Sequence, residues 1–70
     1  MNKSFAVLCL YDRLLSGKPV RINESVQELG ISVPTFRRYL SLLRDFCWDK
    51  DKSEIRYNSI KQEYTLIKKD

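Results

Sequence analysis

The feature that most constrains this chain is one glycine set between two short helical stretches. Upstream of Gly30, Val26 and Leu29 lie one turn apart. Asn23 stands before them as a good N-cap, and Glu24 in the first turn favours the helix dipole. Downstream, Ser32 is a second N-cap, and Pro34 falls in a first turn, where its missing N–H costs nothing. Phe36, Leu40 and Leu43 then follow at i, i+4, i+7, the spacing of an inward helical face. Helices over about residues 23–29 and 33–46, joined through Glu28-Leu29-Gly30-Ile31-Ser32, fit a helix-turn-helix. Glycine in that turn reaches positive φ without steric cost, and Leu29 and Ile31 flank it to lock the helices together.

The flanking segments complete the pattern. Val7, Leu10, Tyr11, Leu14 and Leu15 repeat at helical spacing, which predicts a first helix over about residues 4–16. Leu8 and Phe5 widen its apolar stripe, so cover on more than one side is expected. Ser16-Gly17-Lys18-Pro19 ends it, with Gly17 as the C-terminal cap. Val20-Arg21-Ile22 alternates and suits a short strand. After Trp48, the run Asp49-Lys50-Asp51-Lys52-Ser53-Glu54 reads as a solvated loop. Ile55-Arg56-Tyr57 and Tyr64-Thr65-Leu66 alternate again, and Asn58 to Glu63 joins them without a glycine. The predicted fold class is mainly α with a small β-hairpin (α+β). It is a winged helix-turn-helix, with three helices and a C-terminal wing over about residues 54–68, forming a single domain across residues 1–70.

Composition removes most enzymes. The chain has 70 residues, no histidine and two cysteines. Neither a two-cysteine, two-histidine zinc site nor a four-cysteine one can form within it, and a Ser-His-Asp or Cys-His centre is excluded too. A non-enzymatic binding module without metal or cofactor is therefore expected. Its net charge of +4 invites an anionic partner, most commonly nucleic acid. No segment reaches the roughly 20 apolar residues of a membrane span. The run Phe5 to Tyr11 behind Lys3 has a signal-like look. It lacks a small-residue cleavage site, however, and Asp12 and Arg13 follow at once, so a cytoplasmic protein is expected. Cys9 and Cys47 are then reduced thiols, with a Cys9–Cys47 bridge as the alternative.

The outward face of the third helix shows Thr35, Arg37, Arg38, Ser41 and Arg44. Between Val33 and Arg44 there are three arginines and no acid, a composition suited to phosphates and guanine edges. The plainer reading is a solvated helix face. It weakens once that face sits on the second helix of a helix-turn-helix. Arg56 and Lys61 on the hairpin could meet phosphates or the minor groove, Lys18 and Arg21 could add phosphate contacts, and Val33 could touch a thymine methyl. Glu24 and Glu28 would have to face away from DNA. Trp48 is expected to pack against the first helix or the wing base, with a dimer contact as its functional alternative. Tyr11 and Tyr39 are expected at the core edge.

The runs Leu14 to Val20, Gln27 to Ser32 and Thr35-Phe36-Arg37-Arg38-Tyr39-Leu40-Ser41-Leu42-Leu43, with the wing from Ile55 to Leu66, carry a family resemblance. The chain resembles, over nearly its whole length, the N-terminal winged helix-turn-helix of DeoR-like and WYL-domain bacterial transcription regulators. That resemblance implies binding to double-stranded DNA with the third helix in the major groove. Carried over by position, Ser32 and Thr35 would contact phosphates, and Arg37 or Arg38 a phosphate or base edge. Two departures stand inside the motif. Val33 and Pro34 replace polar or basic residues, and Tyr39 stands where the family usually has Asp. Regulators of the family usually carry a C-terminal effector or dimerisation domain. A free-standing small protein and one domain of a longer protein are both compatible with that.

A single winged helix makes few base contacts, so specific regulation calls for a homodimer or a partner chain. The broad stripe of the first helix would suit a homodimer. The competing expectation is a winged-helix module that binds and regulates a partner protein through the first helix or the Val33-Pro34 end. It would do so without sequence-specific DNA binding.

Overall fold

The computed structural model describes residues 2–68. The element order is α1 (Lys3–Leu15), β1 (Val20–Arg21), α2 (Ile22–Leu29), α3 (Val33–Asp51), β2 (Glu54–Asn58) and β3 (Glu63–Ile67). The fold is mainly helical with one antiparallel sheet of order β1-β3-β2, and its layout fits a winged helix-turn-helix.

The turn around Gly30 forms as its chemistry requires. Gly30 sits at φ 64, and its N–H and that of Ile31 both bond to the Val26 carbonyl. Ser32 caps α3, its Oγ accepting the Thr35 N–H at 3.3 Å. Leu29, Phe36, Leu40 and Leu43 are buried together with Ala6, Leu10, Leu14, Val20 and Ile55 in one core. Phe36 and Val20 are fully enclosed.

Three expectations need correction. The third helix does not stop near Phe46 but runs on to Asp51, so the first half of the charged run after Trp48 belongs to its last turn. Cys47 continues the inward stripe of Phe36, Leu40 and Leu43 at the next helical step, and its burial holds those turns to the core. Lys50 then reaches back to α1, donating from Nζ to the Tyr11 hydroxyl at 2.8 Å. The chain turns at Lys52, in the left-handed region at φ 62. The buried Ser53 donates both its N–H and its hydroxyl to Asp51 Oδ1.

The second correction concerns the expected strand 20–22. Val20 pairs with Tyr64 and Arg21 with Glu63, so Ile22 would have to meet Gln62. Gln62 has turned into the left-handed region at φ 54, and the ladder ends there. Ile22 instead opens α2, and Arg21 rather than Asn23 is the cap residue, with no side-chain cap bond.

The third concerns α1, which is covered on one side only. Ala6, Leu10 and Leu14 are buried, Val7 and Tyr11 are half-buried, and Phe5, Leu8 and Leu15 stay exposed. Ala6, Leu10 and Leu14, at i, i+4, i+8, face the core, which leaves Phe5 and Leu8 on the opposite side of the helix. Gly17, at φ 78, closes α1 as expected.

Candidate nucleic-acid interface

A helix turns 100° per residue, and α3 is held at two flanks, so its outward residues divide between them. On one flank Arg44 and Trp48 line a cleft with Ile55 and Arg56 of the wing; Arg37 and Ser41 continue that stripe at helical spacing. On the other flank Thr35, Arg38, Tyr39 and Leu42 line a groove with Lys3 of α1. Further along this flank Phe46 meets Tyr11 edge-on, with ring centroids 5.5 Å apart. The arginines expected on one common face are therefore split, with Arg37 and Arg44 towards the wing and Arg38 towards α1. Thr35 is half-buried, whereas Arg37, Arg38, Ser41 and Arg44 are exposed.

Pairing of charges separates these arginines from the others. Arg13 is 4.0 Å from Glu28, Arg21 is 3.2 Å from Glu63 and 3.5 Å from Glu24, and Arg56 is 3.1 Å from Glu54. Among the described residues Arg37, Arg38, Arg44 and Lys61 join no ion pair. Glu24 and Glu28 are each held by an arginine, but Glu24 does not turn away from the wing tip as a DNA contact there requires: it lines a cleft with Lys61 and Gln62, its charge offset by Arg21. Of the expected contacts, Arg21 and Arg56 therefore carry their own counter-charges.

The start of α3 holds a short hydrogen-bond chain. Ser32 Oγ donates to Thr35 Oγ1 at 2.9 Å, and Arg38 Nη2 donates to the same Thr35 oxygen at 3.3 Å. Thr35 Oγ1 thus joins the cap of α3 to the Arg38 guanidinium. Val33 is exposed beside this chain, at the first turn.

The wing runs back along α3. Ser53 donates its N–H to the Cys47 carbonyl at the far end of the helix. Arg56 stands level with Arg44, and Tyr64 packs on Phe36 in the first turns of α3, with centroids 6.0 Å apart. The hairpin turn 59–62 thus emerges at the end of the molecule where α3 begins, and Tyr57, Lys61 and Gln62 border Asn23 and Glu24 at the start of α2. The sequence signal for this turn is Asn58, whose Oδ1 accepts the N–H groups of Ile60 and Lys61 in place of the missing glycine.

Cys9 and Cys47 are free thiols, and Cys47 is buried. Burial, then the Asp51 carboxylate, pushes the Cys47 thiol up against the opposing pull of Lys50. Trp48 is half-exposed at the wing base, with Lys52 Nζ 5.0 Å from its ring centre. Tyr11 and Tyr39 lie at the core edge. Among the described residues no cluster of three metal-ligating side chains occurs, and no helix is long and apolar enough to cross a membrane. No protein-family model matches this chain, and no curated protein or solved structure matches it.

Proposed function

We propose that this chain is a DNA-binding winged helix-turn-helix, a bacterial cytoplasmic transcription regulator or the DNA-binding part of one. The observation that carries this reading is the set of exposed arginines on α3, the second helix of the helix-turn-helix. Arg37, Arg38 and Arg44 have no carboxylate partner among the described residues. Three exposed guanidiniums without counter-charges leave α3 locally positive on both flanks, and an anionic partner offsets that charge. In this reading the N-terminal half of α3 enters the major groove. The Ser32–Thr35–Arg38 chain takes a phosphate, Arg37 and Ser41 face base edges, and Val33 meets a thymine methyl. Arg44, Arg56 and Lys61 follow the backbone on the wing side, and Arg21 supports them from its pair with Glu63.

A second copy extends this reading to a two-half-site operator. Phe5, Leu8 and Leu15 on α1 and Leu42 and Phe46 on α3 leave apolar surface on the side of α3 away from the wing. The same exposed face favours the alternative, a winged-helix module that regulates a partner protein without sequence-specific DNA binding.

Fluorescence anisotropy of a labelled random duplex, titrated at several salt concentrations, tests the proposal. Non-specific dissociation constants of about 10⁻⁴–10⁻⁶ M are expected near physiological salt. Neutralising about six phosphates gives a slope of log K against log salt of about −5. Absence of binding at low salt by folded protein overturns the DNA reading and turns the search to protein partners.

A further inference from the structure

We infer that Ile60, at the tip of the wing, is an apolar wedge for the minor groove of duplex DNA; the inference rests on the DNA-binding reading above. Ile60 is 92% exposed, while the next most exposed large apolar side chain, Leu8, reaches 62%. Single exposed apolar residues are ordinary on protein surfaces, so exposure alone carries nothing. Three further features single out this one.

The first is residue type. Tight turns favour Gly, Asn, Asp, Ser and Pro, each for a backbone reason. A β-branched side chain serves none of those reasons and, at this exposure, adds next to nothing to the core.

The second is rigidity and placement. Asn58 Oδ1 accepts the Ile60 N–H at 3.0 Å and the Lys61 N–H at 3.1 Å, so the turn is tied from inside. The hairpin below it is anchored twice. Tyr57 packs on Tyr64 with ring centroids 4.8 Å apart and the planes tilted at 47°, and Glu63 is gripped by Arg21 at 3.2 Å. The tip therefore holds its side chain out from a braced stem, at the end of the fold where α3 begins. A helix lying in the major groove by its N-terminal half puts such a tip over the adjacent backbone and minor groove.

The third is the chemistry of the neighbours. Lys61 follows directly and joins no ion pair among the described residues, while the two carboxylates nearest the turn, Glu24 across the cleft and Glu63 at its foot, are both paired with Arg21. The minor groove is about 6 Å wide, narrow enough to exclude a helix and wide enough for one branched aliphatic chain. Its walls are phosphates, which suit Lys61, and its floor lacks the guanine amino group at A·T pairs. Proteins that use this groove push apolar side chains between base steps, most readily at flexible pyrimidine–purine steps. The ligand class is thus A·T-rich duplex with a TA or CA step flanking the major-groove site.

The test uses the full chain and duplexes carrying 2-aminopurine beside a TA step. The Ile60→Ala variant should melt with the wild type, because a side chain this exposed contributes little to the fold. Relative to wild type it should bind about tenfold more weakly, with an unchanged salt slope. The wild type should raise 2-aminopurine fluorescence on binding, and Ile60→Ala should not. Lys61→Ala should instead lower the salt slope by about 1. If the wild type binds DNA and Ile60→Ala matches it in affinity and fluorescence, the wedge is wrong while the DNA reading stands. If the wild type fails to bind any duplex at low salt, the DNA reading falls and takes the wedge with it.

Discussion

Arg21 on β1 and Glu63 on β3 are register partners and form an ion pair at 3.2 Å, with the Glu63 side chain only 11% exposed. The pair fastens the wing to the strand that leads into α2. It also occupies an arginine that would otherwise be available to phosphates. Replacing Glu63 by Gln removes the counter-charge and should cost about 1–3 kcal/mol of stability, read by denaturant unfolding. In the DNA assay Glu63→Gln combined with Glu24→Gln should steepen the salt slope by about 1, because Arg21 then has neither of its counter-charges and neutralises a phosphate. A variant that is less stable but has an unchanged slope would leave Arg21 a purely structural residue.

Arg37 and Arg38 diverge on the helix, and Arg38 alone is tied to Thr35. Arg38→Ala should weaken binding to all duplexes about equally and lower the salt slope by about 1, as loss of a phosphate contact does. Arg37→Ala should cost about 1–3 kcal/mol on a selected site and relax the preference at one base position. Both are exposed, so each melting curve should stay within about 0.5 kcal/mol of wild type. Site selection from a random pool followed by anisotropy separates the two roles. If neither variant changes binding, α3 is not the groove-entering helix.

Gly30 has no atom within contact distance of where a Cβ would sit, so any penalty at this turn comes from the backbone alone. At φ 64 an alanine is held in the left-handed region at a cost of about 1–2 kcal/mol. Gly30→Ala should therefore lower stability by that amount and keep the fold, as checked by denaturant unfolding and far-ultraviolet circular dichroism. A neutral result would show that the turn relaxes to another geometry.

The Cys47 thiol is pushed up mainly by burial, with Asp51 adding to it. In the unfolded chain an ordinary thiol ionises near about pH 8.5, before the folded one does. The associated stability is thus whole below that range and declines as pH rises towards the folded value. Thermal melting from about pH 7 to 10 should fall more steeply for the wild type than for Cys47→Ala. Iodoacetamide should reach Cys47 only on unfolding. Parallel melting profiles would remove Cys47 as the source of the alkaline loss.

The outward apolar faces of α1 and α3 should support self-association. Sedimentation equilibrium should find a dimer that Leu8→Glu converts to a monomer, since a buried unpaired carboxylate is costly. A wild-type monomer at high concentration would assign that face to a different chain.

The helix-turn-helix was legible in the sequence because its signals are local. Gly30, the Ser32 cap, Pro34 and the i, i+4, i+7 stripe each act within a turn or two, and all point to the same geometry. The wing was legible from alternation in the same way, and Asn58 was a readable turn signal. The end of α3 was less plain. Composition turns charged after Trp48, yet Cys47 still faces inward, and one buried side chain plus Lys50 on Tyr11 outweighs the polar run.

Sequence alone determined which helices exist, the turn at Gly30 and that α3 from Val33 to Arg44 carries arginines without acids, because these follow from neighbours along the chain. Tertiary structure alone decided which of those arginines are unpaired and which flank each occupies. Arg21 meets Glu63 across 42 positions, and Lys50 meets Tyr11 across 39. Contacts over such separations are set by how the elements pack on a shared core, and no local pattern encodes them. The same packing turned Phe5 and Leu8 outward and placed the tip of the wing at the start of α3.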